Sequence, residues 1–260
     1  MQICVILAGV LDPKWPLPQG DWLNDPALLD CIARKLSPFD EAALEVALRL
    51  RESLPQATLS VWMPDGPGAP GLMRAIAAHK PEHVGLLNIP DAVRWDPAAC
   101  AREVAAGLRA AGSGSLWLTG REFGDLDDGT FCAWLAREAG VPLVTMAEEL
   151  RVQDDGTLRA LRTRSKVTEL VRVPPACVVT LTNARSNRLR HPLMKNVMLA
   201  KKLSIETVAH ASSVTARIAP AQFVVATGAQ RERRAPLGAA AGLDAQLDAV
   251  LELLDSACPT

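Results

Sequence analysis

The strongest constraint on this chain is an alternation of short apolar runs with helical patterns, which extends from residue 2 to residue 146. Strands that alternate with helices at this spacing indicate a doubly wound α/β fold with a mostly parallel sheet. The first run is almost continuously apolar, as is typical of a strand covered on both faces. The predicted strands are residues 2–10, 58–63, 83–89, 116–118 and 141–146, and the predicted helices are residues 38–54, 71–79, 97–111 and 131–139.

One helix start is especially well marked. Ser37 is predicted to cap the helix, Pro38 to occupy its first position and Asp40 to lie near the positive end of its dipole. Along the polar side of the same helix, Glu45 and Arg49 are four residues apart, a spacing that allows an ion pair. The other side is a broad apolar face that is expected to cover the sheet.

Residues 121–130 form a polar loop between a predicted strand and a predicted helix. Ligands of open α/β sheets bind at the carboxyl ends of the strands, and this loop lies at such an end. The first amides of the following helix are expected to point outward without partners, where they suit a phosphate. A solvated acidic turn that caps the helix is the alternative interpretation.

Two metal-dependent interpretations of this loop fit less well. A phosphatase loop needs its first aspartate directly at the strand end, but residues 121–124 separate Asp125 from the strand. An EF-hand needs an oxygen ligand where Gly129 stands, and no Glu closes the loop. The four histidines and six cysteines of the chain are scattered, so no metal site is predicted.

Composition narrows the function classes. The net charge of −1 gives no global field that would recruit nucleic acid or an anionic membrane. The first apolar run follows no Lys or Arg and ends at Asp12 and Pro13, so neither a signal peptide nor a membrane span is predicted. The cysteines are expected to be buried thiols in a reducing cytoplasm, which predicts a cytoplasmic protein.

The pattern changes after residue 146. Asp-Asp-Gly at residues 154–156 lies between short apolar runs and predicts a hairpin. Residues 167–173 and 176–181 are predicted to add further antiparallel strands to the sheet. The α/β fold is therefore expected to carry a late antiparallel element.

The last part of the chain resembles an arm. Residues 212–234 alternate polar and apolar side chains without forming a convincing core helix, and residues 243–254 predict one amphipathic terminal helix. The predicted organisation is an α/β domain over residues 1–210 and a C-terminal arm over residues 211–260. An arm of this length is expected to wrap its own sheet or a partner subunit.

Residues 183–202 combine basic and apolar side chains in a loop that leads into a short helix. The segment could pack its apolar side on its own domain, since Met often only fills gaps. It could be a nucleic-acid patch, but no aromatic residue is present for base stacking. It could also dock a protein partner through adaptable anchors with basic neighbours that steer the encounter. The docking anchors would be Leu193, Met194, Val197 and Met198.

Three stretches carry a more specific pattern: Ser-Pro-Phe-Asp-Glu at residues 37–41, a Gly-Arg…Asp-x-Asp loop at residues 120–127, and the basic segment at residues 183–202. In this order they resemble the beta (small) subunit of electron-transfer flavoproteins, and the likeness covers most of residues 1–210. The basic segment matches that family in register through Arg185, Asn187, Arg190, Asn196, Met198, Ala200, Lys201 and Lys202.

The resemblance implies an electron carrier rather than an enzyme. This carrier would be a heterodimer, and the present chain would have an adenine-nucleotide-binding, Rossmann-like fold. An alpha subunit would hold the redox-active FAD, and this chain would close over it with Phe39 near the flavin ring. The C-terminal arm would wrap the alpha subunit. A flavin dehydrogenase would dock at the segment around Met194, and a quinone oxidoreductase would accept the electrons.

The resemblance also implies a nucleotide in this subunit, either AMP or, in bifurcating members of the family, a second FAD. The residues at that site would be Ile6, Ser37, Met63, Asp127, Asp128, Gly129 and Thr130.

The sequence departs from the family pattern at several of these places. Ala8 and Gly9 stand where relatives carry Lys-Arg, Ser37 replaces an Asn, and Thr130 replaces a Gln. These changes remove donors that would hold a phosphate or an adenine. In the basic segment, Asn183 replaces an Asp, Met194 the anchor leucine and Lys195 the following proline, which indicates a dedicated dehydrogenase partner.

Two other functions share this fold class. An adenine-nucleotide-binding regulatory or hydrolase domain would keep the nucleotide but not the electron transfer, and a simple scaffold would bind no ligand in the loop. No Gly-rich phosphate loop with a lysine and no His-paired nucleophile is visible in the sequence, which argues against the hydrolase. No catalytic residue is therefore predicted.

Overall fold

The computed structural model describes residues 1–16, 18, 28, 32–125, 127, 129–211, 214–218, 242, 244–248 and 250–251. The chain divides into two compact units, Met1–Phe223 and Val224–Thr260. In the second unit, residues 244–248, 250 and 251 are helical, within the predicted terminal helix. Most of the predicted arm, residues 212–234, lies outside the described residues.

The first unit has the predicted alternation of strands and helices. Its strands are β1 (Gln2–Ile6), β2 (Val10–Leu11), β3 (Arg34–Lys35), β4 (Thr58–Pro64), β5 (His83–Leu87), β6 (Leu116–Gly120), β7 (Leu143–Ala147), β8 (Glu149–Val152), β9 (Leu158–Arg164), β10 (Val167–Val173), β11 (Cys177–Leu181) and β12 (Glu206–Val208). Its helices are α1 (Pro38–Ser53), α2 (Ala69–Ala77), α3 (Pro97–Ala110), α4 (Phe131–Ala139) and α5 (Met194–Ala200).

Seven parallel strands form the main sheet in the order β12-β5-β4-β1-β6-β11-β7. The chain builds outward from β1 through β4 and β5, and then returns to the other side of β1 with β6. This reversal between β1 and β6 is the switch point at which an open α/β sheet leaves a crevice for ligands. The predicted doubly wound parallel sheet is confirmed.

Two buried clusters cover the two faces of the sheet. One contains residues of α1 and α2 and of the small sheet β8-β9-β10, and the other contains residues of α3 and α4. Both faces of β1 are therefore inside the protein, which explains why its sequence is apolar without alternation. The strand is shorter than predicted, because it ends at Ile6 and the chain turns at Gly9, whose φ is +68°.

The start of α1 has the predicted cap. The Ser37 hydroxyl accepts the Asp40 N–H at 3.0 Å, and the Asp40 carboxylate accepts the Ser37 N–H at 3.1 Å. This reciprocal pair satisfies two backbone donors at the helix start. The predicted pair between Glu45 and Arg49 is also present, with 3.5 Å between Arg49 Nε and Glu45 Oε1.

The antiparallel element is smaller than predicted. The hairpin at residues 154–156 joins β8 to β9, and β10 completes a three-stranded antiparallel sheet. The prediction for residues 176–181 is wrong, because β11 is a parallel strand between β6 and β7 in the main sheet. All five residues of β11 are buried, so its continuous apolar run is that of a central parallel strand.

Residues 209–218, where described, lie against α3. His210 Nε2 is 2.7 Å from the Glu103 carboxylate, and both side chains are buried. The Arg217 N–H donates to Asp96 at 2.8 Å, while the other carboxylate oxygen of Asp96 caps the first turn of α3. The beginning of the predicted arm is thus held on its own domain.

Candidate functional site

The β6–α4 loop lies at the carboxyl end of β6, as predicted, and this end is at the switch point, but three N–H groups of the loop and the helix start have partners. The Asp127 carboxylate accepts the N–H groups of Phe123 at 2.8 Å, Gly129 at 2.9 Å and Phe131 at 3.2 Å. Phe131 is the first residue of α4, so the prediction of an outward-pointing, unpartnered amide is wrong at this residue. Asp127 instead closes the loop on itself, as in the capping interpretation.

A second carboxylate organises the loop after β1. Asp40 is fully buried and accepts the N–H groups of Ala8 at 3.3 Å and Gly9 at 3.1 Å in addition to that of Ser37. Burial raises the pKa of Asp40, because the charged form loses its water, although these hydrogen bonds act in the opposite direction. Asp40 therefore connects the start of α1 to the end of β1.

The predicted nucleotide residues occupy quite different environments. Ile6 and Met63 are fully buried in the clusters on opposite faces of the sheet, so their side chains belong to the core. Ser37 is buried as the cap of α1. Gly129 and Thr130 are exposed just before α4, and Asp128 lies outside the described residues.

Two aromatic side chains that the sequence did not indicate fill the crevice. Phe123 and Phe131 stack with their ring centroids 3.7 Å apart and their planes within 6°. They are 8% and 2% exposed and share a buried cluster with Ile6 and Ala8. The pairing depends on the path of the loop, which residue spacing alone does not specify.

Phe39 lies beside this crevice at the surface. It is half-buried, and the Arg121 guanidinium lies over its ring at 4.7 Å from the centroid. A Cβ at Gly120 would be only 2.8 Å from the Phe39 Cβ, so glycine at the end of β6 lets the helix approach this closely. The predicted flavin-side residue is thus accompanied by a cation that immediately follows β6.

The predicted docking anchors are exposed on and beside α5. Leu193, Met194 and Met198 are 71%, 74% and 56% exposed, and Leu199 adds a further 59% exposed side chain. Val197 is half-buried. Because the most apolar side chains point to solvent, the interpretation that this segment only packs on its own domain is wrong for them. We call Leu193, Met194, Met198 and Leu199 the apolar row.

The base of the apolar row is attached firmly to α1. Arg190 donates to Glu45 through its guanidinium, at 2.8 Å from Nη2 to Oε1, and through its backbone N–H at 3.2 Å. Asn187 is buried, donates to the Glu148 and Thr182 carbonyls, and accepts from Arg49. The polar side of α1 therefore binds residues 187–190, which precede the apolar row.

The charged side chains of the segment that carries the apolar row all have one sign. Residues 183–203 contain neither Asp nor Glu, and their basic residues are Arg185, Arg188, Arg190, Lys195, Lys201 and Lys202. An exposed apolar patch with a charged rim is typical of a protein interaction site. The basic rim favours a partner whose surface is acidic.

The other chemical predictions concern thiols, metals and membranes. Four cysteines are free and buried, and burial raises the pKa of Cys4, Cys100 and Cys132 to about 12 and that of Cys177 to about 11. No group of three or more His, Cys, Asp and Glu side chains suited to a metal occurs among the described residues. None of the described helices is long and apolar enough to cross a membrane.

The sequence matches a known class of protein. The family described as "Electron transfer flavoprotein domain" matches residues 31–213, which include the β6–α4 loop, Phe39 and the whole apolar row. The chain belongs to this family of electron carriers.

A curated relative is the caffeyl-CoA reductase-Etf complex subunit CarD of Acetobacterium woodii. The two chains are 26% identical over 145 residues, which are 56% of this chain and 55% of CarD. The chain thus aligns with about half the length of this relative.

Proposed function

We propose that this chain is the beta (small) subunit of a heterodimeric electron-transfer flavoprotein. It would accept electrons from a flavin dehydrogenase through FAD that an alpha subunit mainly holds, and pass them to a quinone oxidoreductase. The observation that carries this proposal is the apolar row, which is exposed on a segment that two α1 contacts hold in place. Membership of the flavoprotein family supports the electron-transfer part.

The apolar row suits transient docking. Its side chains are large and flexible, and Met in particular adapts to the shape of a partner. Of the six basic residues around it, the five other than Arg190, which is paired with Glu45 and Glu52, would raise the rate of encounter with an acidic dehydrogenase surface. Arg190 and Asn187 would keep the row in one position, so that less conformational freedom is lost when the partner binds.

Phe39 and Arg121 are the residues of this chain that we expect to face the FAD. They fit an aromatic ligand, because Phe39 presents a half-buried ring at the edge of the domain and Arg121 presents an exposed cation beside it. FAD supplies the capacity to take up and release electrons when it is bound in the assembly.

The C-terminal residues 211–260 are proposed to wrap the alpha subunit. His210 and Arg217 fasten the first described residues of this segment to α3. The arm proposed to wrap the alpha subunit would then start from a fixed position on the domain.

The test is reduction of the assembled heterodimer by a flavin dehydrogenase of the same organism. Met194→Ala removes one exposed anchor, and the rate of flavin reduction at limiting dehydrogenase should fall roughly tenfold, as expected for a central contact. Val167→Ala is the matched control, because Val167 is also an exposed apolar residue but lies on β10. Equal rates for both variants and the parent would contradict the docking role.

A further inference from the structure

We infer that the crevice at the switch point of this subunit is closed by its own side chains and accepts neither AMP nor a second FAD. The inference rests on the proposed function, since it concerns how many nucleotides the heterodimer carries. The family resemblance implies a nucleotide at this place, so the fit of the residues has to be tested on the structure.

The space at the crevice is filled. The stacked rings of Phe123 and Phe131 are buried in the same cluster as Ala8, which lies two residues after β1. The backbone of the β6–α4 loop also lies directly on the β1 loop, because a Cβ at Gly124 would be 3.3 Å from the Ala8 Cβ. An adenine ring or ribose would have to displace this aromatic stack to enter between β1 and β6.

Among the described residues, N–H groups that could bind a phosphate are already used. Those of Ala8 and Gly9, after β1, donate to Asp40, and those of Phe123, Gly129 and Phe131 donate to Asp127. The Leu11 N–H donates to Asp125 at 3.0 Å. A phosphate binds where backbone amides are free and the local potential is positive, and here carboxylates occupy both loops.

The neighbouring cations do not reverse this charge. Arg34 Nη2 is 3.9 Å from the Asp125 carboxylate, and the buried stem of Arg34 packs beside Gly68. Arg121 pairs with Glu122 at 2.9 Å and covers the Phe39 ring. A phosphate in the crevice would have to compete with Asp125 and Glu122 for these two arginines while it faces Asp40 and Asp127.

The residues present therefore do not fit an adenine nucleotide at this place. The heterodimer would carry one flavin, held mainly by the alpha subunit, and electrons would follow a single path through it. Splitting electron pairs between two flavins would then be impossible in this subunit.

The experiment counts nucleotides in the purified heterodimer. The complex is denatured, and FAD and AMP are separated chromatographically and quantified against protein. One FAD per heterodimer, with AMP below a tenth of an equivalent, is the expected result. One equivalent of AMP or a second FAD would overturn the inference, while a chain that forms no complex and releases no FAD would instead contradict the proposed function.

A binding measurement covers nucleotides lost during purification. Radiolabelled AMP and adenosine are each dialysed to equilibrium against the heterodimer, and no retention is expected for either. Saturable binding of either compound at one site per heterodimer would show that the crevice opens, and would overturn the inference. Phe131→Thr, which removes one ring of the stack, serves as a second sample: AMP retained by this variant but not by the parent would show that the ring closes the crevice.

Discussion

The Arg190 guanidinium is bound to the buried Glu45 carboxylate across two segments that lie 145 residues apart in the chain. Hydrogen bonds to Glu45 and then Glu52 raise the pKa of Arg190, so its guanidinium stays charged. Glu45 is 5% exposed and also lies near Arg49. This contact fixes the basic segment on α1 at Arg190, and it can be tested directly.

Arg190→Ala should destabilise the protein, because it leaves the buried Glu45 carboxylate with fewer donors. We expect the free energy of unfolding to fall by about 1–3 kcal/mol, less than for a fully buried pair because the Arg190 side chain is partly exposed. Urea unfolding measures the change. Arg188→Ala is the control, since Arg188 is exposed two residues earlier in the same segment; an equal loss in both variants would count against the role of the pair.

Truncation of two methionines to alanine should change the free energy of unfolding by very different amounts. Met73 is fully buried between α2 and the sheet, so Met73→Ala should cost about 2–5 kcal/mol of unfolding free energy. Met194 is 74% exposed, and Met194→Ala should change the free energy by less than about 0.5 kcal/mol. Thermal unfolding of both variants gives the comparison. A large loss in Met194→Ala would mean that this side chain supports the fold rather than a partner.

Substitution of two glycines by alanine should change the free energy of unfolding in opposite directions. A Cβ at Gly85 would lie 2.4 Å from the Trp62 ring, so Gly85→Ala should destabilise the sheet by about 1–3 kcal/mol. Gly71 is helical within α2, and a Cβ there meets no atom within 4 Å. Gly71→Ala should therefore stabilise the protein by about 0.5–1 kcal/mol. Denaturant midpoints for the pair decide the matter, and the prediction fails if both shift in the same direction.

The attachment of residues 214–218 should depend on pH through Asp96. Burial alone would raise the pKa of Asp96, but the N–H groups of Arg217, Ala99 and Ala98 outweigh it and the net pKa is lowered. A carboxyl group whose pKa is lowered on folding stabilises the native state above its unfolded pKa of 3.8, and this contribution is lost as the pH falls through the folded value.

The stability difference between the parent and Asp96→Ala should thus be constant from neutral pH down to about 4 and should shrink below that. Urea unfolding at a series of pH values measures it, and hydrogen exchange at the Arg217 amide reports the local effect. A difference that stayed the same in acid would show that the charge of Asp96 is not responsible.

Much of the fold could be predicted because each element carries its own local signal. The cap at Ser37 and Asp40 and the continuous apolar run of β1 each follow from a few neighbouring residues. The strand β11 was misassigned because its two neighbours, β6 and β7, lie far away in the sequence, and an apolar run of five residues does not reveal its direction.

The candidate site was only partly predictable for a similar reason. The exposed anchors on α5 followed from the mixture of apolar and basic residues, whereas the burial of Glu45 beneath Arg190 depends on a contact between distant segments. The hydrogen bonds from the loops after β1 and β6 to Asp40 and Asp127 could not be predicted either. The sequence shows the aspartates but does not indicate which of them accept backbone N–H groups. Asp127 was assigned to a ligand, yet the structure uses its carboxylate to shape the loop.

The position of β11 affects the order in which the main sheet can form during synthesis. Both of its neighbours in the sheet, β6 and β7, are synthesised earlier, and they can join one sheet only after residues 177–181 have entered between them. A nascent chain that has not reached this point exposes two open strand edges, which chaperones recognise and which favour aggregation. The basic segment at residues 183–202 begins only two residues after β11, so a chain that contains it already contains six of the seven strands of the main sheet, and only β12 follows.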